Sequence, residues 1–242
     1  AGTHTVSVGA TLASNLAVAV AADSLAVTGV LTGTGSLAKS GAGLLTLAGA
    51  NTFSGGATVD AGTLALGHAA ALGTAAATVN GGTLDLTTTA QSVSTLQITS
   101  GSITSSTGTI TVTSGGTPTF DLQGGTVSAI LAGTGVAATK SGGGLVVLSG
   151  ANTYTGLTTV NGGTLQLGRN DALLTTGSIT VAGGTFDLST YSQTTNVLKL
   201  LGGSISGTGA LNASSYSLES GSIGIALTGA AVPVNKSTNG TV

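Results

Sequence analysis

Cysteine, methionine and tryptophan are all missing from this chain of 242 residues. Without cysteine there is no disulfide framework and no thiolate–metal chemistry. Charge is scarce as well, at 5% of residues, with a formal net charge of −2. A chain so poor in charge and 40% hydrophobic does not have the composition of a disordered polyelectrolyte. The five basic residues, Lys39, Lys140, Arg169, Lys199 and Lys236, are scattered. They form no stripe that could track phosphates, and aromatics at 2% supply no stacking platforms, which argues against nucleic-acid binding. Mean hydropathy is +0.51, yet no apolar run approaches the ~18 residues of a membrane helix. The longest candidate, at 16–22, stops at Asp23. Three Tyr and three Phe are too few for the aromatic girdles of a transmembrane barrel.

What the chain does have is glycine, 42 residues of it, and the glycines are periodic. A glycine, one spacer and an apolar residue recur in steps of about 19, at Gly43, Gly62, Gly82, Gly101, Gly125, Gly144, Gly163, Gly184, Gly203, Gly221 and Gly240. The apolar followers run Leu45, Leu64, Leu84, Ile103, Val127, Val146, Leu165, Phe186, Ile205, Ile223 and Val242. Short alternating runs such as Leu45-Thr46-Leu47 and Leu84-Asp85-Leu86 favour strands over helices. Coils of this size bury their side chains only by stacking on their neighbours. The pattern therefore predicts an all-β parallel β-helix, a solenoid with about 19 residues per coil and rungs ~4.8 Å apart. An antiparallel meander is the rival, because Val-Asn-Gly-Gly-Thr at 79–83 and 160–164 could form hairpin turns. In the solenoid the marker glycines are expected at corners with positive φ, and their followers in one inward column.

A longer period overlies this one. KSGAGLLTLAGANTFSGGATVDAGTLALG at 39–67 returns as KSGGGLVVLSGANTYTGLTTVNGGTLQLG at 140–168, and a third copy begins at Lys236. This implies repeat units at about 39–139 and 140–235, five coils to each unit of roughly 100 residues, within one continuous segment spanning 1–242. With every terminus in phase, the protein is expected to be a window on a longer, processed solenoid, or a protomer that stacks end to end.

Both copies resemble the autotransporter-associated β-strand repeat of type V secreted passenger domains. The positions that carry the resemblance are Lys39, Gly41, Gly43, Leu45, Leu47, Gly49, Asn51, Thr52, Phe53, Gly55, Val59, Gly62, Thr63 and Leu64. In the second copy they are Lys140, Gly142, Gly144, Val146, Leu148, Gly150, Asn152, Thr153, Tyr154, Gly156, Val160, Gly163, Thr164 and Leu165. Phe53 stands where the family carries Tyr. The resemblance implies a right-handed β-helix, exported across a Gram-negative outer membrane by a C-terminal barrel that this sequence does not contain.

Candidates for chemistry are few. Acid/base catalysis needs carboxylates converging on one site, whereas Asp85 and Asp187 recur with the coil and are expected on its outer face. Lys39, Lys140 and Lys236 are likewise one per unit and read as solvated face charges. Arg169 beside Asp171 reads as a surface contact. His4 and His68 lack partners for a metal and read as exposed turn residues. Gly81-Gly82-Thr83-Leu84-Asp85 has the wrong spacing for a calcium β-roll. The hydroxylic spacers raise ice binding as an alternative, although the outward positions Thr46, Ala65, Asp85, Val147, Gln166 and Asp187 are no threonine lattice. Asn51 and Asn152 are expected to cap turn backbone, with Phe53 and Tyr154 plugging the coil; ligand contact is the other reading of the asparagines.

Taken together, the sequence predicts a structural stalk of a secreted or surface-displayed passenger, serving adhesion or an extracellular filament. It is expected to be no enzyme and to need no cofactor or metal. Its expected partners are copies of itself along the axis and cell-surface or glycan targets, with no nucleic acid and no membrane span, outside a Gram-negative cell. The alternatives are a β-helix glycan-active enzyme with its site elsewhere, and an ice- or surface-binding solenoid.

Overall fold

The computed structural model describes residues 2–113, 119–229 and, for backbone, 234–236. They form strands and turns with no helix. The protein divides into two compact units, 1–118 with 128–130, and 119–127 with 131–242.

In the first unit one wall stacks the strands Thr3–Val6, Ser24–Val27, Leu44–Leu47, Thr63–Leu66, Thr83–Asp85 and Ser102–Thr104. A second wall stacks Leu16–Ala19, Leu37–Ser40, Ala57–Val59, Ala77–Val79 and Leu96–Ile98. Every neighbouring pair is parallel, which removes the meander and establishes a β-solenoid. Each turn takes roughly 20 residues. Parallel strands that alternate in and out keep like side chains in line. Leu25, Leu45, Leu64, Leu84 and Ile103 accordingly pair in sequence, and the last four are essentially sealed from solvent.

The third side of each turn is less regular. Short strands pair at Ala10–Thr11 with Leu31–Thr32, and at Ala90–Val93 with Thr109–Val112. The stretches between them, 50–56 and 67–76, carry no strand.

The second unit repeats this plan. One wall holds Gly125–Val127, Leu145–Leu148, Thr164–Leu167, Thr185–Asp187, Ser204–Ser206 and Ser222–Ile223. The other runs from Thr119–Leu122 through Ala137–Lys140, Thr158–Val160 and Ser178–Val181 to Gln193–Leu200, Ala210–Leu218 and Ala226–Thr228. Its inward column Val146, Leu165, Phe186, Ile205 and Ile223 is in register as expected.

Val127 departs from that column. The partner of Val146 is Gly125, and Val127 pairs with Leu148, two residues from the predicted phase. A slip of one would have turned the strand inside out; a slip of two leaves the side-chain alternation intact. Val127 is therefore still fully buried, now in the column of Leu148 and Leu167.

The marker glycines divide in a way the sequence expectation did not anticipate. Gly62, Gly101, Gly125, Gly163, Gly203 and Gly221 have positive φ, but Gly43, Gly82, Gly144 and Gly184 do not. At Gly82 the constraint is space: a Cβ would lie 2.7 Å from Val59 Cγ1 and 2.9 Å from the Gly62 carbonyl oxygen. Gly240 lies outside the described residues.

Leu64→Asp puts an unpaired carboxylate into this dry column and is expected to cost more than about 3 kcal/mol. Hydrogen exchange should show protection lost first in Leu44–Leu47 and Thr83–Asp85, because coupling in a solenoid is between neighbours. Uniform loss across the first unit would contradict this.

Candidate functional site

The repeat's polar residues gather at two places in the turn. The first is the corner after the second wall. Strand Leu37–Ser40 alternates buried and half-buried, and its inward positions are Leu37 and Lys39. Lys39 therefore sits in a column with Val18 before it and Val59, Val79 and Ile98 after it. It is 0% exposed, which overturns the solvated-face reading.

Its stem packs along the column while the ammonium reaches the corner. There Nζ donates to the carbonyls of Ser40 at 2.8 Å, Gly41 at 2.7 Å and Ala61 at 3.0 Å. Two carbonyls come from its own turn and one from the next. Lys140 repeats the arrangement on Ser141 at 2.6 Å, Gly142 at 3.0 Å and Gly162 at 3.1 Å. Gly41, Gly62, Gly142 and Gly163 all have positive φ, which helps aim carbonyls into the corner. At Gly62 a Cβ would collide with the Gly41 carbonyl oxygen. Desolvation lowers the pKa of both lysines, and for Lys140 the charge of Asp121 acts in the opposite direction. Three converging carbonyls match the three donors of an ammonium, which a neutral amine could not supply. Lys236 pairs in register with Leu218; its side chain lies outside the described residues.

The second place is the strandless third side. Asn51 is buried, and its Oδ1 accepts from Leu31 N at 2.8 Å in the turn before. Its Nδ2 donates to Ala71 O at 2.7 Å in the turn after. Asn152 does the same with Leu131 N at 2.9 Å and Ala172 O at 2.9 Å. The side-chain amide thus supplies the donor and acceptor of a missing ladder rung.

Two turns after each asparagine, glutamines that the sequence reading passed over complete the device. Gln91 Oε1 accepts from Leu72 N at 3.3 Å, and Gln193 Oε1 accepts from Leu173 N at 3.0 Å. Both are 1% exposed. Their signal was available: each is a long amide side chain about two coils after its asparagine, set among apolar and hydroxylic neighbours.

The aromatic plugs differ between the copies. Phe53 is sealed and the residue four places on, Ala57, is also buried, whereas Tyr154 shares a 2.7 Å hydrogen bond with Thr158 Oγ1. Tyr154 also meets Phe120 at a tilt, with ring centroids 5.5 Å apart, and burial raises the pKa of its phenol. The exchanges at the plug and four residues later go together, so neither copy has an orphan hydroxyl. Among the described residues no buried side-chain polar atom lacks a partner.

The carboxylates hold turns. Asp85 Oδ1 accepts from Thr87 N at 2.8 Å, and Asp187 Oδ1 accepts from Ser189 N at 2.8 Å. Thr87 and Ser189 both have φ of 53°, an uncommon conformation for such residues that an Asx turn steadies. Asp171 accepts from Thr194 N at 2.7 Å while Arg169 Nε donates to Asn170 O at 3.2 Å, in place of the predicted contact between the two. Lys199 and Glu219 form an ion pair at 3.5 Å. His68 Nδ1 accepts from Ala70 N at 3.0 Å in an exposed turn, and His4 is exposed. No group of three or more His, Asp or Glu that could hold a metal occurs among the described residues.

The family model of the passenger-associated-transport-repeat matches residues 37–66 and 139–167. Those are the two stretches in which the lysine corner, the asparagine rung and the aromatic plug recur, and the match agrees with the resemblance to the autotransporter repeat. No curated protein and no solved structure gives a significant match. Within the repeat, the most specific residues are those that close backbone.

Two outcomes follow from this geometry. Phe53→Tyr should destabilise by about 1–3 kcal/mol through an orphan hydroxyl, and adding Ala57→Thr should restore most of it. A double-mutant cycle by urea unfolding would measure the coupling, and additive losses would contradict the pairing.

The second outcome concerns pH. The lysine pKa is lowered in the folded state, so between that value and the ordinary 10.5 the unfolded protein holds more protons and stability rises with pH. Tyr154 opposes this from about 10 upward, because its folded phenol keeps its proton after the unfolded one has lost it, and above 10.5, where the lysines contribute no further rise, stability falls with pH. Lys39→Met should cost about 3 kcal/mol at neutral pH by stranding carbonyls and should flatten the alkaline rise. Urea midpoints across the pH series would show both effects.

Proposed function

We propose that the protein is a structural segment of an autotransporter-type passenger, secreted from or displayed on a Gram-negative cell, where it serves as a stalk in adhesion or in an extracellular filament. The passenger repeat and the β-solenoid support the passenger role. The observation that carries the structural reading is where the polar side chains are committed. Lys39, Lys140, Asn51, Asn152, Gln91 and Gln193 all close backbone, and Asp85 and Asp187 each hold a local turn. Catalysis needs groups converging on a substrate, and these converge on the backbone itself. On this reading the segment works without a cofactor and without catalytic residues.

A threonine lattice for ice binding finds little support. The outward column Thr46, Ala65, Asp85 and Thr104 is mixed.

The test is display on a Gram-negative cell, with the segment inserted between a translocating barrel and a small domain of known ligand. Capture of ligand-coated beads should persist and should survive Asp85→Asn with Asp187→Asn, since asparagine keeps the Oδ1 acceptor. The unaltered protein should release no sugar from a panel of bacterial and host polysaccharides. A polysaccharide-cleaving activity lost in the double variant would overturn the reading.

A further inference from the structure

Asn80-Gly81 and Asn161-Gly162 are the same dipeptide at two corners of this kind, and the structure treats them differently. Asn80 is tied at both ends of its amide: Nδ2 donates to Asp60 Oδ1 at 3.0 Å, and Oδ1 accepts from Thr99 Oγ1 at 3.1 Å. Ser100 Oγ also bonds the Asn80 carbonyl. Asn161 is exposed. Among the described residues its side chain has no hydrogen bond, while the N–H of Gly162, like that of Gly81, donates to no backbone carbonyl. In both dipeptides a further glycine follows, Gly82 or Gly163, and brings no side chain to shield the corner, so the difference lies in the asparagine amide.

An unbonded amide beside an unengaged glycine N–H is the arrangement in which asparagine reacts with its own backbone. The Gly162 nitrogen loses its proton and attacks Asn161 Cγ. A new bond forms between that nitrogen and Cγ, the bond from Cγ to Nδ2 breaks, and ammonia leaves with the proton. Water then opens the resulting succinimide at either carbonyl, giving aspartate or isoaspartate. We propose that Asn161-Gly162 is a site of spontaneous deamidation and isoaspartate formation in the folded protein, and that Asn80-Gly81 is protected by its ties to the turns on either side.

The two products have different consequences. Aspartate at 161 is what the first copy already carries at the aligned position, Asp60, so the corner accepts it. Isoaspartate inserts a methylene into the backbone next to Gly162, whose carbonyl receives the Lys140 ammonium at 3.1 Å. That product lengthens the corner and pulls one of the three carbonyls away from the lysine.

The experiment is to age the folded protein in mildly alkaline buffer, digest with trypsin and read the fragments by mass spectrometry. Cleavage after Lys140 and Arg169 isolates a peptide that holds both Asn152 and Asn161. The expected result is a gain of mass at Asn161 with both products present and none at Asn152. Reaction at Asn80 should be slower by on the order of tenfold, because its two bonds must break first. Ageing in denaturant should bring Asn80 and Asn161 to similar rates. Two results would overturn the proposal: an intact Asn161 in the folded protein after the denatured protein has reacted, or equal rates at the two sites when folded.

Discussion

When one turn of backbone lies ~4.8 Å above another, each corner must turn at the same place, and each N–H and C=O there must find a partner without a straight ladder to supply it. The walls of this protein meet the requirement automatically, through parallel pairs running in register along each unit. The corners and the third side do not, and the distinctive residues of the repeat are found there. Lys39 and Lys140 gather carbonyls where two successive turns bend. Asn51 and Asn152 span three turns of loop, and Gln91 and Gln193 cover the loop from the far side.

The lysine is the costliest of these choices, since it places a charge in a column otherwise filled by valine, leucine and isoleucine. Three carbonyls replace the water it gives up. The same geometry explains why lysine is infrequent in the column. Two ammoniums on adjacent rungs would repel by about 3 kcal/mol at an effective dielectric constant of 20 and would compete for the shared corner. The other rungs of the column carry aliphatic side chains, which need only burial.

Much of this architecture could be read from the sequence, because a solenoid writes its geometry as a period. The glycine–spacer–apolar step near 19 gave parallel rungs of about the observed size and the inward column of Leu45, Leu64, Leu84 and Ile103. The paired copies located the asparagine and the aromatic plug. The misreadings are physical in origin. Lysine is so seldom buried that the sequence alone places Lys39 and Lys140 in solvent, although each stands two residues after an inward residue of its strand. A glycine marks a corner in the sequence, yet positive φ and crowding leave the same letter, so Gly62 and Gly82 could not be told apart.

The phase of Gly125 shows where the sequence stops deciding. A strand's alternation fixes which face is buried, because a one-residue slip exposes the core, but it is blind to a slip of two. Whether Val127 lies beside Val146 or Leu148 depends on how many residues the preceding turn absorbs and on what the neighbouring column can accommodate. Fold class, coil size, inward faces and the identity of the two repeats were determined by the sequence, since all are properties of periodicity. The two-residue register and the carbonyls that receive each ammonium were decided only by the tertiary structure, as were the ties that bind Asn80 but not Asn161. Those partners lie a full turn away in sequence and come together only when the turns stack.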